Sequence, residues 1–357
     1  MILYSFPNGD QLSRRDNSLI MAFAGVRRVL STSPHNGGLR DDIMHVFNHC
    51  AERTEDSMRG SSYCEHIAIL ASELGLDPKI TCGISTGAYA ENVAIVTNSY
   101  LDTEVTAIVT AGIDINGSRV GDKTEWHESE NGYLHVPGTI NILLIFNSDL
   151  TPGALTRALI TCTEAKSAAI AELCVPSCYS QGLATGSGTD GAILVCDPNS
   201  PVKLTEAGTH FKLGELIGIT VIKAVKEALY LETGLNEVRQ YDFFRRLGRY
   251  GISIDNLLNS YVDKNDKSID HDQIRDAILY LTSKREIVIF AILIANILDQ
   301  LSYNLITDKD ALVVANSLFT VYFPGSDLSL NTYLDYSQVS VSELIISTTI
   351  AIIIDAI

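Results

Sequence analysis

The sequence predicts a mixed α and β domain, layered α/β or α+β, over residues 1–234, followed by a smaller all-α domain over 235–357. Before Gly234, β-branched runs are punctuated by Gly, Asn and Pro, with helical stretches between some of them. After Asn236 glycine becomes scarce and a period near 3.6 takes over. A chain of 357 residues suits two domains of ordinary size, each burying its own core.

The first-domain strands are expected at 26–30, 104–113, 139–146 and 192–196, where Val, Ile and Leu cluster between turn residues. The clearest helix starts with Thr151 as N-cap and Pro152 at the first helical position, where proline's missing N–H leaves no bond unmade. It runs through Ala154, Leu155, Ala158, Cys162, Ala165 and Ala169 to Leu173, its alanines allowing close approach to a sheet. A second helix at about 211–231 presents Leu213, Leu216, Ile217, Val221, Ala224 and Ala228 on one face. In the second domain, helical periodicity covers 269–281, 284–301 and 310–323, and the polar patch 263–268 reads as a loop. The apolar runs 287–298 and 344–354 fall short of the roughly 20 residues that a bilayer requires. They are expected as core helices, so no membrane span is predicted.

The formal net charge of −17 gives phosphate-backbone binding no global support, which sets nucleic acid aside as a partner. Seven cysteines, odd in number and scattered among apolar residues, point to reduced thiols and a cytoplasmic setting. Cys174 and Cys178 have no second Cys or His pair nearby, which argues against zinc.

Several stretches read as parts of a ligand cradle. Thr185, Gly186, Ser187, Gly188, Thr189 and Asp190 alternate glycines, which let a ligand approach the backbone amides, with hydroxyls that donate and accept. Ser-Thr-Ser-Pro-His-Asn-Gly-Gly at 31–38 offers Asn36, Gly37 and Gly38 in a turn after a strand. Thr-Ala-Gly at 110–112 leads to Asn116, and Gly-Thr-Ile-Asn at 138–141 puts Thr139 and Asn141 on one strand face. Thr-Glu-Ala-Lys at 163–166 adds Glu164 and Lys166, which point in different directions on a helix. Each stretch alone also reads as a turn, a cross-strand pair or a surface charge. Together they fall at strand ends, where layered sheets commonly build ligand sites.

These stretches, in this order and followed by Gly-Thr-His-Phe-Lys-Leu-Gly-Glu at 208–215, resemble the adenosylcobinamide amidohydrolase family of archaeal corrinoid salvage over residues 1–232. The resemblance implies hydrolysis of the amide that joins a corrin propionyl side chain to aminopropanol, giving adenosylcobyric acid. Ser187 stands where the family pattern has Thr, and Ser33 where Ala is usual. A corrinoid is an apolar-faced macrocycle rimmed by carboxamides, and Asn, Thr and backbone groups suit such a small-molecule substrate. Amide hydrolysis needs an activated nucleophile, an oxyanion donor set and an acid for the leaving amine. Asp190 or Glu164 is the expected base for water, with His210 as proton carrier. Lys166 and the amides of residues 186–189 are the expected oxyanion donors, and an attacking hydroxyl from Thr185 or Ser187 is the rival mechanism. No cofactor is required by the sequence, although a divalent ion held by Asp190 and Glu164 stays open.

The second domain is faintly similar to the phosphatidylglycerophosphatase A-like fold and to α-ribazole phosphatase, through 251–257, 284–286, 298–299, 321–325 and 331–335. That resemblance implies a magnesium site drawn from Glu286, Asp299, Asp310, Asp335 and Glu343, and a bifunctional enzyme. Asp310-Ala311 and Ser342-Glu343 keep only half of each expected acidic pair. A divergent phosphatase, a worn one and a homo-oligomerisation module remain open for this part. A non-catalytic corrinoid-binding protein is the alternative for the whole chain.

Overall fold

The computed structural model describes residues 1–51, 59–124, 139–265, 270–326, 330 and 339–357. The chain forms two compact units, Met1–Asn236 and Glu237–Ile357.

The first unit is built on strands β1 (Ile2–Ser5), β2 (Gln11–Arg15), β3 (Ser18–Ser31), β4 (Gly38–Cys50), β5 (Thr81–Thr86), β6 (Ala94–Tyr100), β7 (Thr103–Ala111), β8 (Ile140–Phe146) and β10 (Gly191–Cys196). They make one sheet ordered β1-β2-β3-β10-β8-β7-β6, with β4 on the other edge of β3 and β5 beyond it. The β8–β10 and β4–β5 pairs are parallel and the rest antiparallel. Two short strands, β9 (Asp149–Leu150) and β11 (Lys203–Leu204), pair separately.

Strand β3 bends the sheet. Its first half pairs with β2 and its last residues with β10, and its register against β4 shifts on both sides of Arg27. Such bulges bend and twist a strand. The bend is pinned by Asp10, whose carboxylate accepts from Arg27 Nη2 at 2.8 Å and Nε at 3.1 Å and from the Ala24 amide at 2.8 Å. The curled sheet encloses Leu12, Met21, Val29, Val46, Ile84, Ile108, Leu143, Ile145 and Ile193 in one cluster.

The opposite face of β7, β8 and β10 packs against helices α2 (Pro152–Glu172) and α3 (Lys212–Thr233). All seven residues of β8 are buried, which is why it reads as an unbroken apolar run rather than an alternating one. Thr151 caps α2, its hydroxyl accepting from the Ala154 amide at 3.2 Å, and Gly234 ends α3 in the left-handed conformation at φ 70°. Helix α1 (Tyr63–Glu73) packs on Ile20 and Phe47 of β3 and β4.

The second unit is helical throughout its described residues: α4 (Glu237–Gln240), α5 (Phe243–Leu247), α6 (Ile254–Lys264), α7 (His271–Thr282), α8 (Arg285–Ser302), α9 (Asp308–Tyr322) and α10 (Val341–Asp355). Phe243, Phe290, Ile294, Leu298, Phe319 and Ile345 centre its core, and the Phe290 ring lies 5.2 Å from that of Phe323 in an edge-to-face pair. No described helix is long and apolar enough to cross a membrane.

On β4, His49 Nδ1 lies 2.8 Å from the Ser18 hydroxyl of β3. Burial pushes this imidazole down from 6.5 to about 4, and the neighbouring His66 and Arg59 add to the shift. Above the unfolded-state value both states are neutral at this position. As pH falls from there toward the folded-state value, the unfolded chain binds a proton that the folded chain refuses, so stability is progressively lost, by about 3 kcal/mol in all. Denaturant unfolding from about pH 7 to about pH 4 should therefore show a steeper loss for the wild type than for His49→Gln. Parallel profiles would exclude this histidine as the cause.

Candidate active site

Among the described residues strand β5 pairs with β4 alone, and side chains from elsewhere cover its other edge. The Thr81 carbonyl accepts from Asn36 Nδ2 at 2.8 Å, the Gly83 carbonyl from Ser33 Oγ at 2.5 Å, and the Ser85 carbonyl from Asn141 Nδ2 at 2.9 Å. The turn after β3 and the start of β8 thus satisfy main-chain groups that an open edge leaves unpaired. Asn141 Nδ2 also donates to Asn48 Oδ1 at 2.8 Å, and Asn48 Nδ2 donates to Thr110 Oγ1 at 2.8 Å. These three side chains are buried and form a polar network at one end of the space inside the curl. Gly191 is required beside them, because a Cβ there would stand 2.7 Å from Asn141 Oδ1.

Next to this network the 184–190 loop folds around Asp190. Its carboxylate forms an ion pair with Lys166 through Oδ2. Oδ1 accepts from the Ser187 amide at 3.1 Å, the Ser187 hydroxyl at 2.5 Å and the Ile140 amide at 3.1 Å. The ion pair crosses directly over Gly186, where any Cβ would overlap Asp190 Oδ2 and press on Lys166 Nζ. Gly188 takes φ 79°, a conformation that side chains disfavour. Thr139 Oγ1 donates to the Thr189 carbonyl at 2.6 Å, tying the loop to the start of β8. On its other side, Ser118 receives the Thr185 amide and donates its own amide to the Gly186 carbonyl, each at 2.8 Å, while Thr185 Oγ1 accepts from the Val120 amide at 2.9 Å.

A family model described as adenosylcobinamide amidohydrolase matches residues 3–237. The chain belongs to this family. Over 233 residues it is 34% identical to an uncharacterized protein of Methanocaldococcus jannaschii, covering 62% of this chain and 88% of that one. Over 225 residues it is 29% identical to an adenosylcobinamide amidohydrolase of Methanosarcina mazei, covering 61% of this chain and 96% of the relative. The match ends where the second unit begins, and it carries no support for a phosphatase.

In this amidohydrolase family member, Lys166, Asp190, Thr139, Asn141 and the 185–189 loop lie close together. Asn36, Gly37 and Gly38 build the turn after β3: Asn36 Nδ2 also donates to the Pro78 carbonyl at 2.7 Å, its Oδ1 accepts from Arg40 Nη1 at 2.9 Å, and Gly38 takes φ 76°. Asn116 is fully buried in the turn that precedes Ser118.

Glu164 and His210 do not join them. Glu164 is exposed, two residues and about 200° around α2 from Lys166. At the start of α3, Lys212 Nζ sits 4.7 Å from the Tyr100 ring at the β6–β7 hairpin, whereas Glu232 near its end accepts from Asn92, just before β6. Helix α3 therefore begins toward the end of the sheet opposite Ile140. His210 is exposed there, beside a glycine that faces Arg157, about 13 Å along α2 from the level of Lys166.

Among the described residues the candidate site shows no cluster of metal ligands. Asp190 is joined by Lys166 rather than by a second carboxylate, and among the described residues no three His, Cys, Asp or Glu side chains are grouped to hold an ion. In the second unit, Asp299 takes a two-pronged bond from Arg249 Nη1 at 2.6 Å and Nη2 at 2.5 Å, and the Tyr250 hydroxyl at 2.8 Å. Asp310 and Glu343 cap their own helices from Thr307 and Ser340. Glu286 is exposed in the first turn of α8. Asp335 and Gly138 lie outside the described residues.

Asn48, Ser85 and Ser118 were not singled out by the sequence. For Asn48 a signal existed, since it interrupts the apolar run that ends β4.

Replacing Gly186 by Ala forces Asp190 and Lys166 apart without touching the core. Amide hydrolysis by Gly186→Ala should fall on the order of a hundredfold, and the thermal midpoint should drop as the largely buried pair is forced apart. Near-normal turnover would show that the ion pair is not needed for the reaction.

Proposed function

We propose that the chain hydrolyses the amide joining aminopropanol to the corrin propionyl side chain of adenosylcobinamide, and that it does so at the Lys166–Asp190 pair. The observation that carries this reading is the arrangement of the Asp190 carboxylate within the family's matched region. Among the described residues Oδ1 is anchored by three donors, whereas Oδ2 carries Lys166 and a longer 3.3 Å contact from the Ser187 amide. A carboxylate oxygen held beside a cation and keeping an acceptor direction suits the orienting of a water.

In this mechanism Asp190 Oδ2 takes a proton from water as the water oxygen bonds to the amide carbon. The Lys166 ammonium stabilises the oxyanion of the tetrahedral intermediate. The C–N bond then breaks, the proton passes from Asp190 to the leaving nitrogen, and the products are adenosylcobyric acid and aminopropanol. Ser187 is buried with its hydroxyl donated into Asp190, and the Thr185 hydroxyl receives the Val120 amide, so both serve the shape of the loop rather than the attack.

Purified chain mixed with adenosylcobinamide should release aminopropanol, followed by mass spectrometry. Lys166→Met and Asp190→Asn should each lower kcat by at least about a hundredfold, and Ser187→Ala by roughly tenfold. Glu164→Gln and His210→Asn should stay within about twofold of wild type. Stoichiometric binding with no release would replace the hydrolase with a corrinoid-binding protein.

A further inference from the structure

We propose that the exposed apolar side chains of Ile115, Val120 and Tyr179 form the surface that receives one face of the corrin macrocycle. This rests on the reading that the substrate is a corrinoid. The three side chains are 64%, 82% and 56% exposed, on two loop segments that flank the 184–190 loop.

These segments are braced. The Cys178 amide donates to the Gly117 carbonyl at 2.7 Å, and the Ser177 amide to the Gly182 carbonyl at 2.9 Å. Asp122 Oδ2 accepts from the Arg119 amide at 2.7 Å and from the Ser177 hydroxyl at 2.6 Å, tying one segment to the other. A bridge between Pro176 and Leu183 and another between Ser118 and Gly186 complete the tie to the reacting loop. A backbone held in this way keeps these side chains on exposed loops, and a ligand covering them would relieve the hydration cost of their apolar surface.

Continuity with the Lys166–Asp190 pair decides the occupant. The Val120 amide is bonded to the Thr185 hydroxyl, and Ser118 to the backbone of Gly186, over which the ion pair lies. The amide to be cleaved hangs from the macrocycle on a short propionyl arm. A carbonyl placed at Lys166 leaves the apolar ring face within reach of the loops beside it. The polar groups near Asp190 take the arm, and Ile115, Val120 and Tyr179 take the ring.

The test replaces Ile115, Val120 and Tyr179 by Ser, singly and together, in the full chain. Cobinamide binding is measured by equilibrium dialysis, kcat and KM by aminopropanol release, and the oligomeric state by sedimentation. Each replacement should raise Kd and KM by roughly tenfold while kcat stays within about twofold. Unchanged Kd and KM would overturn the proposal, as would a shift in oligomeric state with unchanged cobinamide affinity, which would mark a contact between copies of the chain. Should the wild type bind cobinamide but release no aminopropanol, the proposed reaction fails, and the dialysis series alone decides on this surface.

Discussion

The ion pair between Lys166 and Asp190 joins three separate parts of the first unit: the α2 helix, the 184–190 loop and, through the Ile140 amide, the start of β8. Its two side chains are only 12% and 16% exposed, so the pair is less screened than a surface bridge, and removal of either partner leaves a charge poorly hydrated. The surrounding geometry is arranged to make the meeting possible. Strand β8 carries the chain about 23 Å across the sheet in seven residues. Helix α2 then returns about 21 Å between Pro152 and Lys166, which brings the lysine back to the level of Ile140. Gly186 leaves the space in which the pair closes.

The same end of the sheet is held from inside the curl by Asn48, Thr110 and Asn141. Those side chains lie on the face that elsewhere presents Val46, Ile108 and Leu143 to the enclosed core. The bend of β3 at Arg27 and Asp10 folds β4 and β5 over β8, and the polar network converts that closure into hydrogen bonds rather than apolar contact alone. Burial without these partners would be costly for two amides and a hydroxyl, so the network favours one register of β5 over its neighbours.

Local signals made α2, α3 and α7 to α10 legible, whereas α1 and α6 were not read from the sequence. Thr151-Pro152 set the start of α2, and an unbroken apolar run set β8. Strands β1, β2, β4, β5 and β6 escaped notice; the first half of β4 is charged and exposed, so the alternation that marks a strand is absent there. The glycine and hydroxyl spacing of the 184–190 loop was readable, because close backbone packing demands it. Which end of the sheet each segment reaches was not, and His210 is the clearest case: its place next to α3 says nothing of the direction in which α3 runs. The carboxylates of the second unit carried a readable signal of another kind. Thr307 with Asp310, and Ser340 with Glu343, are capping boxes with the polar residues three apart, and that spacing accounts for both acids without a metal ion. Asp299 is likewise held by Arg249 and Tyr250 inside its own helical unit.

The central claim is that the scissile amide is held at Lys166 and Asp190. It is tested most directly by the structure of the Asp190→Asn chain with adenosylcobinamide bound. The amide carbonyl oxygen should lie about 3 Å from Lys166 Nζ, within hydrogen-bond reach. A carbonyl oxygen found at the start of α3 beside His210, or anywhere out of reach of Lys166, would contradict the account.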